Sequence, residues 1–516
     1  MIICFFSSAI ICEIYKYYFL KQDNMATDAN KKEIILIQPP IPKSIRKDYI
    51  SVQFPLGLGY IAKSLSLCEV NVTINDFVVE QYNTNRFIEQ LKRIKPVLIG
   101  FTALTCSIPF VHLISKHIKR HNPQTITVLG GAHASALPLE TLRELPCIDF
   151  IVVGEGEIII KELYQESVGS QNYHKVKGIA FREKDTGALF MAPGRELIEN
   201  LDNINFHTFG LFDVEKYCRA HVSRGFSRKE LSIMELLTSR GCPESCIFCA
   251  GHISYGRTLR FRSIENIISA IEKNNGVKKI EHISIEDDTF TFNRKLVLEL
   301  GNYLKSKNIT WNCNARIGTI DEDLATTMSQ NNCRKISFGI ESGSERILRL
   351  IKKNITIPQI INTFKFVRRV KIRYVEGNFM LGSHPDEKLE DIKMTEKLIF
   401  KLQPDFLTLT VMCPFPGTEV YEIMNNASLL AKRKNWLNFN LVTSKLPYKR
   451  LYNLSADELL CWRNWLLKKY YTSPAYIFRQ IFRVRNIKEL KYLLRLAKSV
   501  VKNNGAASLC KKAARK

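Results

Sequence analysis

Between Lys32 and Glu166, short apolar runs alternate with amphipathic stretches. "EIILIQPP" is a β-rich run, and a helical pattern follows Pro55 through "LGLGYIAKSLSL". Then come "NVTINDF", a helix near 85–94, "PVLIGFTAL" and a helix over 108–121. "TITVLGGAHAS", a short helix near 138–144, and "FIVVGEGE" leading into "IIIKELYQ" complete the series. Five apolar runs separated by helices predict a doubly wound parallel α/β sheet. Such sheets bind ligands beyond the carboxyl ends of their strands, here the loops "TALTCS", "GGAHAS" and "GEGE". Their small residues allow close backbone approach and offer hydroxyl and N–H groups to a polar ligand; simple turn chemistry accounts for them equally well.

Residues 167–230 read as a connector with one hairpin, turning at Asp185-Thr186-Gly187. From Leu231 the alternation resumes, with candidate strands "LSIMELL", "KIEHISI", "ITWNCNA", "KISFGI", "YVEGNFML" and "FLTLTVM". Helical patterns cover 264–274, 294–307, 321–330, 345–353 and 387–402. Another, 357–370, opens with a cap at Thr356, Pro358 in its first turn and Gln359 completing a capping box. Six β/α repeats are too few to close an eight-stranded barrel of ~250 residues, so an open, partial TIM-like barrel is expected. The implied organisation is an apolar extension (1–31), an α/β domain (32–166), the connector (167–230), the partial barrel (231–425) and a helical basic region (426–516).

Composition sharpens this outline. The 516-residue chain is 45% apolar, ample for a core, and carries a formal charge of +25. Its cysteines are mostly scattered singly in apolar contexts (Cys68, Cys147, Cys313, Cys333), as buried reduced thiols are, which suits the cytoplasm. "MIICFFSSAIICEIYKYYFL" lacks a positive n-region and is interrupted by Glu13 and Lys16. It reads poorly as a signal peptide and is short of the ~20 apolar residues of a comfortable span. A membrane anchor and a true start at Met25 both remain open, the second preferred. From Cys461 to Lys516 there are fifteen Lys or Arg and one Glu. There "NIKELKYLLRLAKSVVK" sets Ile487, Leu490, Leu493, Leu494 and Val500 at helical spacing. This basic amphipathic helix suits an anionic membrane or acidic partner, or else a solvated face. No helix-turn-helix or base-stacking motif is evident, so no specific nucleic acid is expected.

The chemistry concentrates in "TSRGCPESCIFCAGH", where Cys242, Cys246 and Cys249 fall within eight positions after the first barrel strand. Structural zinc takes four ligands, and the fourth here would be His252, awkwardly near Cys249. "CIFC" offers a redox pair but leaves Cys242 unexplained. A [4Fe–4S] cluster held by three thiolates would keep one iron open to a ligand.

"CPESCIFC" has the C-x3-C-x2-C spacing of the radical S-adenosylmethionine enzymes, including Phe248 before the last cysteine, and resembles that family. The resemblance implies that the open iron chelates S-adenosylmethionine, whose cleavage gives a 5′-deoxyadenosyl radical. It implies that the acidic "EDD" receives the ligand's ammonium through Asp287 or Asp288, with Glu286 a third choice; capping of the next helix is the plainer reading. "FGIESGSERIL" resembles the ribose-contacting motif, with Glu341 and Ser342 as contacts. In "GNFMLGSHPDE", His384 and Pro385 depart from the usual glycine. Arg316 can pair with a ligand carboxylate or serve a structural salt bridge. "LRFRS" (Arg260, Arg262, Ser263) and "CPFPGTEVYE" are similar to one branch of the superfamily, which carries an N-terminal cobalamin-binding domain.

"FPLGLGYIAKSL", "VLGGAHASALP" and "VVGEGE" match that branch. The implied cobalamin contacts are Thr105, Ser107, Gly130, Gly131, His133, Gly154 and Gly156. There is no D-x-H-x-x-G, so no lower axial histidine is evident, and His133 is a minor candidate. In the methyl-transferring members, one S-adenosylmethionine methylates cob(I)alamin and a second generates the radical. The expected activity is methyl transfer to an unactivated carbon of a small-molecule or lipid-like substrate, with electrons from a flavodoxin- or ferredoxin-type donor. Oxidative cyclisation or ring rearrangement, methylthio transfer (which calls for a small C-terminal β-barrel) and a non-catalytic sensor are the alternatives. No catalytic acid or base is named.

Overall fold

A computed structural model of the chain describes residues 31–42, 52–204, 209–220, 232–431, 434–441 and 445–482. The five apolar runs form parallel strands β1 (Glu33–Gln38), β2 (Asn71–Asp76), β3 (Leu98–Thr102), β4 (Ile126–Gly130) and β5 (Phe150–Val152). The spatial order β2-β1-β3-β4-β5 changes direction between β1 and β3, as in doubly wound sheets. Both faces are covered. Ile35 and Ile37 pack with Phe87 and Val111 of helices Thr84–Ile94 and Ile108–His121. Ile34 and Leu36 pack with Leu58 and Ile159 of helices Leu56–Leu65 and Gly156–Val168.

The hairpin expected in the connector belongs instead to this sheet. Strand β6 (Ile179–Arg182) pairs antiparallel with β5, and β7 (Leu189–Met191) with β6, giving seven strands. An edge left at the three-residue β5 would expose unpaired backbone; the hairpin covers it.

In the second domain β8 (Ile233–Leu236) leads to a two-stranded antiparallel ribbon of β9 (Ser239–Arg240) and β10 (Arg260–Phe261). Strands β11 (His282–Ile285), β12 (Thr310–Ala315), β13 (Cys333–Glu341), β14 (Tyr374–Leu381) and β15 (Phe406–Val411) follow. With β8 they form one parallel six-stranded sheet in sequence order, in which β8 and β15 are the two edges, as expected for an open barrel. Helices follow the strands on the outside; Phe338 of β13 meets Phe364 of helix Ile357–Arg369 at 5.7 Å between ring centroids. That helix carries the anticipated capping box of Thr356 and Gln359.

The described part of the C-terminal region is helical, with no small β-barrel among the described residues. Helix Ala456–Tyr471 packs on β15, where Tyr471 Oη accepts from Leu407 N at 2.9 Å and donates to Leu407 O at 3.0 Å. A tyrosine thus satisfies backbone groups of an edge strand. The N-terminal extension and the basic amphipathic segment at 484–500 lie outside the described residues. Among those described, no helix is long and apolar enough to cross a membrane.

Candidate active site

The cysteine loop is built by a backbone that only glycine allows. Gly241 has φ +89°, and a Cβ there would lie 2.1 Å from the Thr258 carbonyl oxygen. The apex is pinned by its backbone: Ile247 N donates to Ile351 O at 3.2 Å, and Ile247 O accepts from Val420 N at 3.0 Å. Cys246 is buried, whereas Cys242 and Cys249 are partly exposed; Phe248 packs against the core. Burial raises all three thiol pKa values, that of Cys249 to about 11, with Asp288 and the other two cysteines adding to it. Such thiols ionise readily only when a strongly positive centre joins them, as metal ligands do.

The donor set fits a cluster better than a single ion. Among the described residues no three His, Cys, Asp or Glu side chains are grouped to hold one metal ion. Thiolates that each bind a different iron need no such convergence. His252, the conceivable fourth zinc ligand, turns Nδ1 to the Cys249 carbonyl oxygen at 3.0 Å. Cys246 and Cys249 precede helix Gly251–Tyr255 with Cys249 N donating to Cys246 O, and both thiols are free.

The structure separates the three acids of "EDD". Asp287 is fully buried and accepts from Thr238 N, Thr238 Oγ1 and Ser239 Oγ at 2.5–2.6 Å, tying β11 to the end of β8. Burial lifts its pKa to about 6 against those hydrogen bonds. Its oxygens are engaged within the protein, so the expectation of a ligand contact at Asp287 gives way to Asp288. Asp288 is reached by solvent yet ringed by enough protein that desolvation raises its carboxyl pKa, as on a cavity floor. A Cβ on Gly251 would lie 3.1 Å from Asp288 Oδ2 and 3.6 Å from Cys249 Sγ, so this glycine lets acid and thiol share one spot. Glu286 accepts from Gln53 Nε2 at 2.9 Å and from Ser284 Oγ at 2.5 Å. The following helix, Arg294–Ser306, is capped by Asn293, not by these acids.

At the end of β13, Glu341 has φ +70° beside a register shift after Gly339, a conformation non-glycine residues rarely hold. Its Oε1 pairs with Lys353 Nζ at 3.0 Å. Burial opposes the Lys353 charge, but Glu341 holds its pKa above the ordinary value. Ser342, the other expected ribose contact, is fully buried and meets Thr395 Oγ1 at 3.3 Å, so it supports the loop from behind. Arg316 takes the structural role: it pairs with Glu244 of the cysteine loop at 2.9 Å and donates to Lys353 O at 2.6 Å.

The ligand edge of the first sheet faces this loop. Gly131 has φ +98°, and a Cβ there would meet Ala103 O at 3.0 Å. Gly130 ends β4, and a Cβ on it would find nothing nearer than 3.8 Å. A Cβ on Gly154 (φ +77°) would lie 4.0 Å from Ser254 O, in the helix that continues the cysteine loop. Gly417 (φ +79°) admits Ile253 of that helix and Ala136 of helix Ala132–Ala136 together. Thr105, Ser107 and His133 are buried rather than displayed. His133 Nδ1 lies 3.3 Å from Thr105 Oγ1, and its ring stands edge-on to Trp436 with centroids 4.7 Å apart. Burial, with Lys434 nearby, lowers its pKa to about 4, so it stays neutral. An enclosed ring does not suit a cobalt ligand.

Sequence reasoning missed the clamp between the domains. Glu155 and Glu157, read only as parts of a glycine loop, are buried acceptors for Arg240: Glu155 at 2.9 Å, Glu157 alongside. Arg260 also pairs with Glu155 at 2.8 Å and donates to Ile198 O at 2.6 Å. Arg262 donates to Leu201 O and Ile204 O, so "LRFRS" fastens the barrel to the segment between the two domains. Gly156 sits inside it, with a would-be Cβ 3.0 Å from Ile61. The signal was present as two acids in an otherwise apolar stretch, but their partners lie 83 to 105 residues away.

An α/β ligand edge held against a three-thiol loop on a partial barrel defines a two-domain radical enzyme. Comparison with known proteins agrees: the B12 binding domain family matches residues 47–164, and the Radical SAM superfamily matches 236–399. The uncharacterized methyltransferase PH0819 of Pyrococcus horikoshii is 32% identical over 461 residues, covering 87% of this chain and 95% of the relative. Cytidylyl-2-hydroxyethylphosphonate methyltransferase of Streptomyces wedmorensis is 26% identical over 399 residues, covering 69% and 74%. The cobalamin-dependent S-adenosylmethionine radical enzyme OxsB, solved with aqua-cobalamin and S-adenosylmethionine, shares the fold at TM-score 0.69 and 16% identity, covering 91% of this chain and 71% of its own. The chain belongs to the radical S-adenosylmethionine superfamily, in the branch with a B12-binding domain.

Proposed function

We propose that this protein is a cobalamin-dependent radical S-adenosylmethionine methyltransferase acting on an unactivated carbon of a small molecule. Cys242, Cys246 and Cys249 would hold the [4Fe–4S] cluster, Asp288 and Glu286 would meet the ammonium of S-adenosylmethionine, and Glu341 its ribose. Cobalamin would lie along Gly130, Gly131 and Gly154. When bound, the cluster supplies the electron that makes the 5′-deoxyadenosyl radical, and cobalamin carries the methyl group. The chain's own part is positioning. The buried Arg240–Glu155–Arg260 set fixes one domain on the other, and Gly154 and Gly417 let the helix after the cysteines approach the sheet edge closely.

The observation that carries this reading is that juxtaposition: helix Gly251–Tyr255, three thiols at its head, abuts the loops after β4 and β5. A one-electron donor of flavodoxin or ferredoxin type is implied. Ile477, Phe478, Ile481 and Phe482, exposed by 46, 66, 60 and 73% beside the basic tail, support contact with an anionic membrane surface. The test is anaerobic reconstitution with iron, sulfide and hydroxocobalamin. Formation of both 5′-deoxyadenosine and S-adenosylhomocysteine is expected. 5′-Deoxyadenosine alone would instead favour cyclisation or rearrangement, and bound zinc or a cluster spectrum indifferent to S-adenosylmethionine would overturn the reading.

A further inference from the structure

We propose that Gln53, carried by the B12-binding domain, is a positioning residue of the S-adenosylmethionine site, holding the Glu286 carboxylate at the end of β11 in the second domain; this rests on the radical-enzyme reading above. Gln53 Nε2 donates to Glu286 Oε2 at 2.9 Å, across 233 residues of chain. The side-chain amide must turn its N–H there, because a carboxylate offers only acceptors.

The residues on either side of Gln53 are anchored. Val52 and Phe54 are buried, and Gln53 between them is exposed. Phe54 N donates to Glu235 Oε2 at 2.8 Å, on β8 at one edge of the open barrel. The Phe54 ring stacks on Tyr217 with centroids 4.4 Å apart, and Tyr217 Oη donates to Asp76 Oδ2 at 2.7 Å, where β2 ends. Pro55 then leads directly into helix Leu56–Leu65. Of the three residues that the first domain lays on the barrel, the one left uncovered is the one that reaches the acid.

Glu286 is held from its own domain as well. Ser284 Oγ donates to its Oε1 at 2.5 Å, and Glu286 N donates to Leu236 O at 2.8 Å. One carboxylate oxygen is thus steadied by the barrel and the other by the first domain, and each keeps a lone pair for a ligand. Asp288, two residues on, lies by Cys249, so an ammonium gathered between these acids needs the Glu286 carboxylate in one orientation. A rotating carboxylate would give up that freedom at each binding event; Gln53 removes it beforehand. An exposed amide contact adds little to stability, and the buried Arg240–Glu155–Arg260 set already fastens the domains. What is left to Gln53 is orientation.

The experiment uses the full chain, reconstituted anaerobically with iron, sulfide and hydroxocobalamin. S-Adenosylmethionine is titrated against the reduced cluster, and its Kd is read from the change in the electron paramagnetic resonance spectrum. Gln53→Ala, and Gln53→Met, which keeps the bulk without the amide, should each raise that Kd about tenfold, as the loss of one hydrogen bond to a charged group does. Iron content and urea midpoint should match those of the unaltered chain. In a Glu286→Ala background the same changes at Gln53 should add nothing, because Gln53 acts only through that acid. An unchanged Kd in both variants overturns this proposal alone. So does a tenfold rise that persists without Glu286, or a failure of both variants to take up iron. A spectrum that ignores S-adenosylmethionine in the unaltered chain overturns the radical-enzyme reading, and this one with it.

Discussion

The two sheets obey the same strand–loop–helix grammar and offer ligands different places. In the seven-stranded sheet both faces are apolar: Ile34 and Leu36 go to one core, Ile35 and Ile37 to the other. Nothing can bind on those faces, so a ligand is confined to the carboxyl edge, where Gly131 and Gly154 turn. In the six-stranded sheet the outer face is apolar, and the inner one carries hydroxyls, amides and carboxylates beside Phe406 and Met380. That sheet offers an edge and an interior. One domain can present a cofactor, while the other can both activate S-adenosylmethionine and enclose a substrate.

Replacing a thiol tests the edge of the second sheet most severely. Cys246→Ala should lose the cluster, with iron content and 5′-deoxyadenosine formation falling to background while the circular dichroism of the fold persists. The next largest effect probes the fastening of the two sheets. Arg240→Ala leaves Glu157 buried without its partner and should cost about 3–5 kcal/mol in urea unfolding. Replacing Arg240 and Glu157 together by Met and Leu should cost less than the single change, because no buried charge is then left uncompensated.

The two faces of β13 give a sharper contrast. Phe338→Ala removes a fully buried ring packed on Phe364 and should cost about 3–5 kcal/mol. Ser337→Ala, one residue away on the inner face, should cost about 1 kcal/mol, since water can replace the lost hydroxyl. Equal losses would contradict a solvated interior. The smallest effect concerns Glu387 behind the loop after β14. It is fully buried, with Oε2 accepting from Ser383 N at 2.7 Å and Oε1 without a partner. Burial lifts its pKa from 4.5 to about 8. The folded protein therefore binds this proton more tightly than the unfolded one, so stability falls as pH rises between those two values and is level above them. Glu387→Gln, isosteric with the protonated acid, should remove about 1 kcal/mol of the loss between pH 7 and 9, read from urea midpoints.

Much of this was legible in order along the chain. Runs such as "EIILIQ" place strands because apolar side chains must leave water, and Thr356 with Gln359 fixes a helix start through bonds three residues apart. The three cysteines are equally local: their spacing sets the loop that holds them. What could not be read locally was each polar residue's partner. Asp287 and Asp288 are adjacent and chemically identical, and only the packing of β11 on β8 turns one into a buried tie and leaves the other at the thiols. Ser342 and Glu155 became supports for the same reason. The inner face of the barrel was visible as a period-two alternation in "HISIE" and "TWNCNA", yet whether such a face meets solvent, a helix or a substrate depends on how the sheet curves.

Short-range forces, acting over a few residues, settle which segments form strands, helices and the thiol loop, and these the sequence determined by itself. Partner choice among buried charges spans a hundred residues of chain. It is decided by which surfaces close on one another, because desolvation penalises every polar group that folding leaves unmatched. Only the tertiary structure chose those matches.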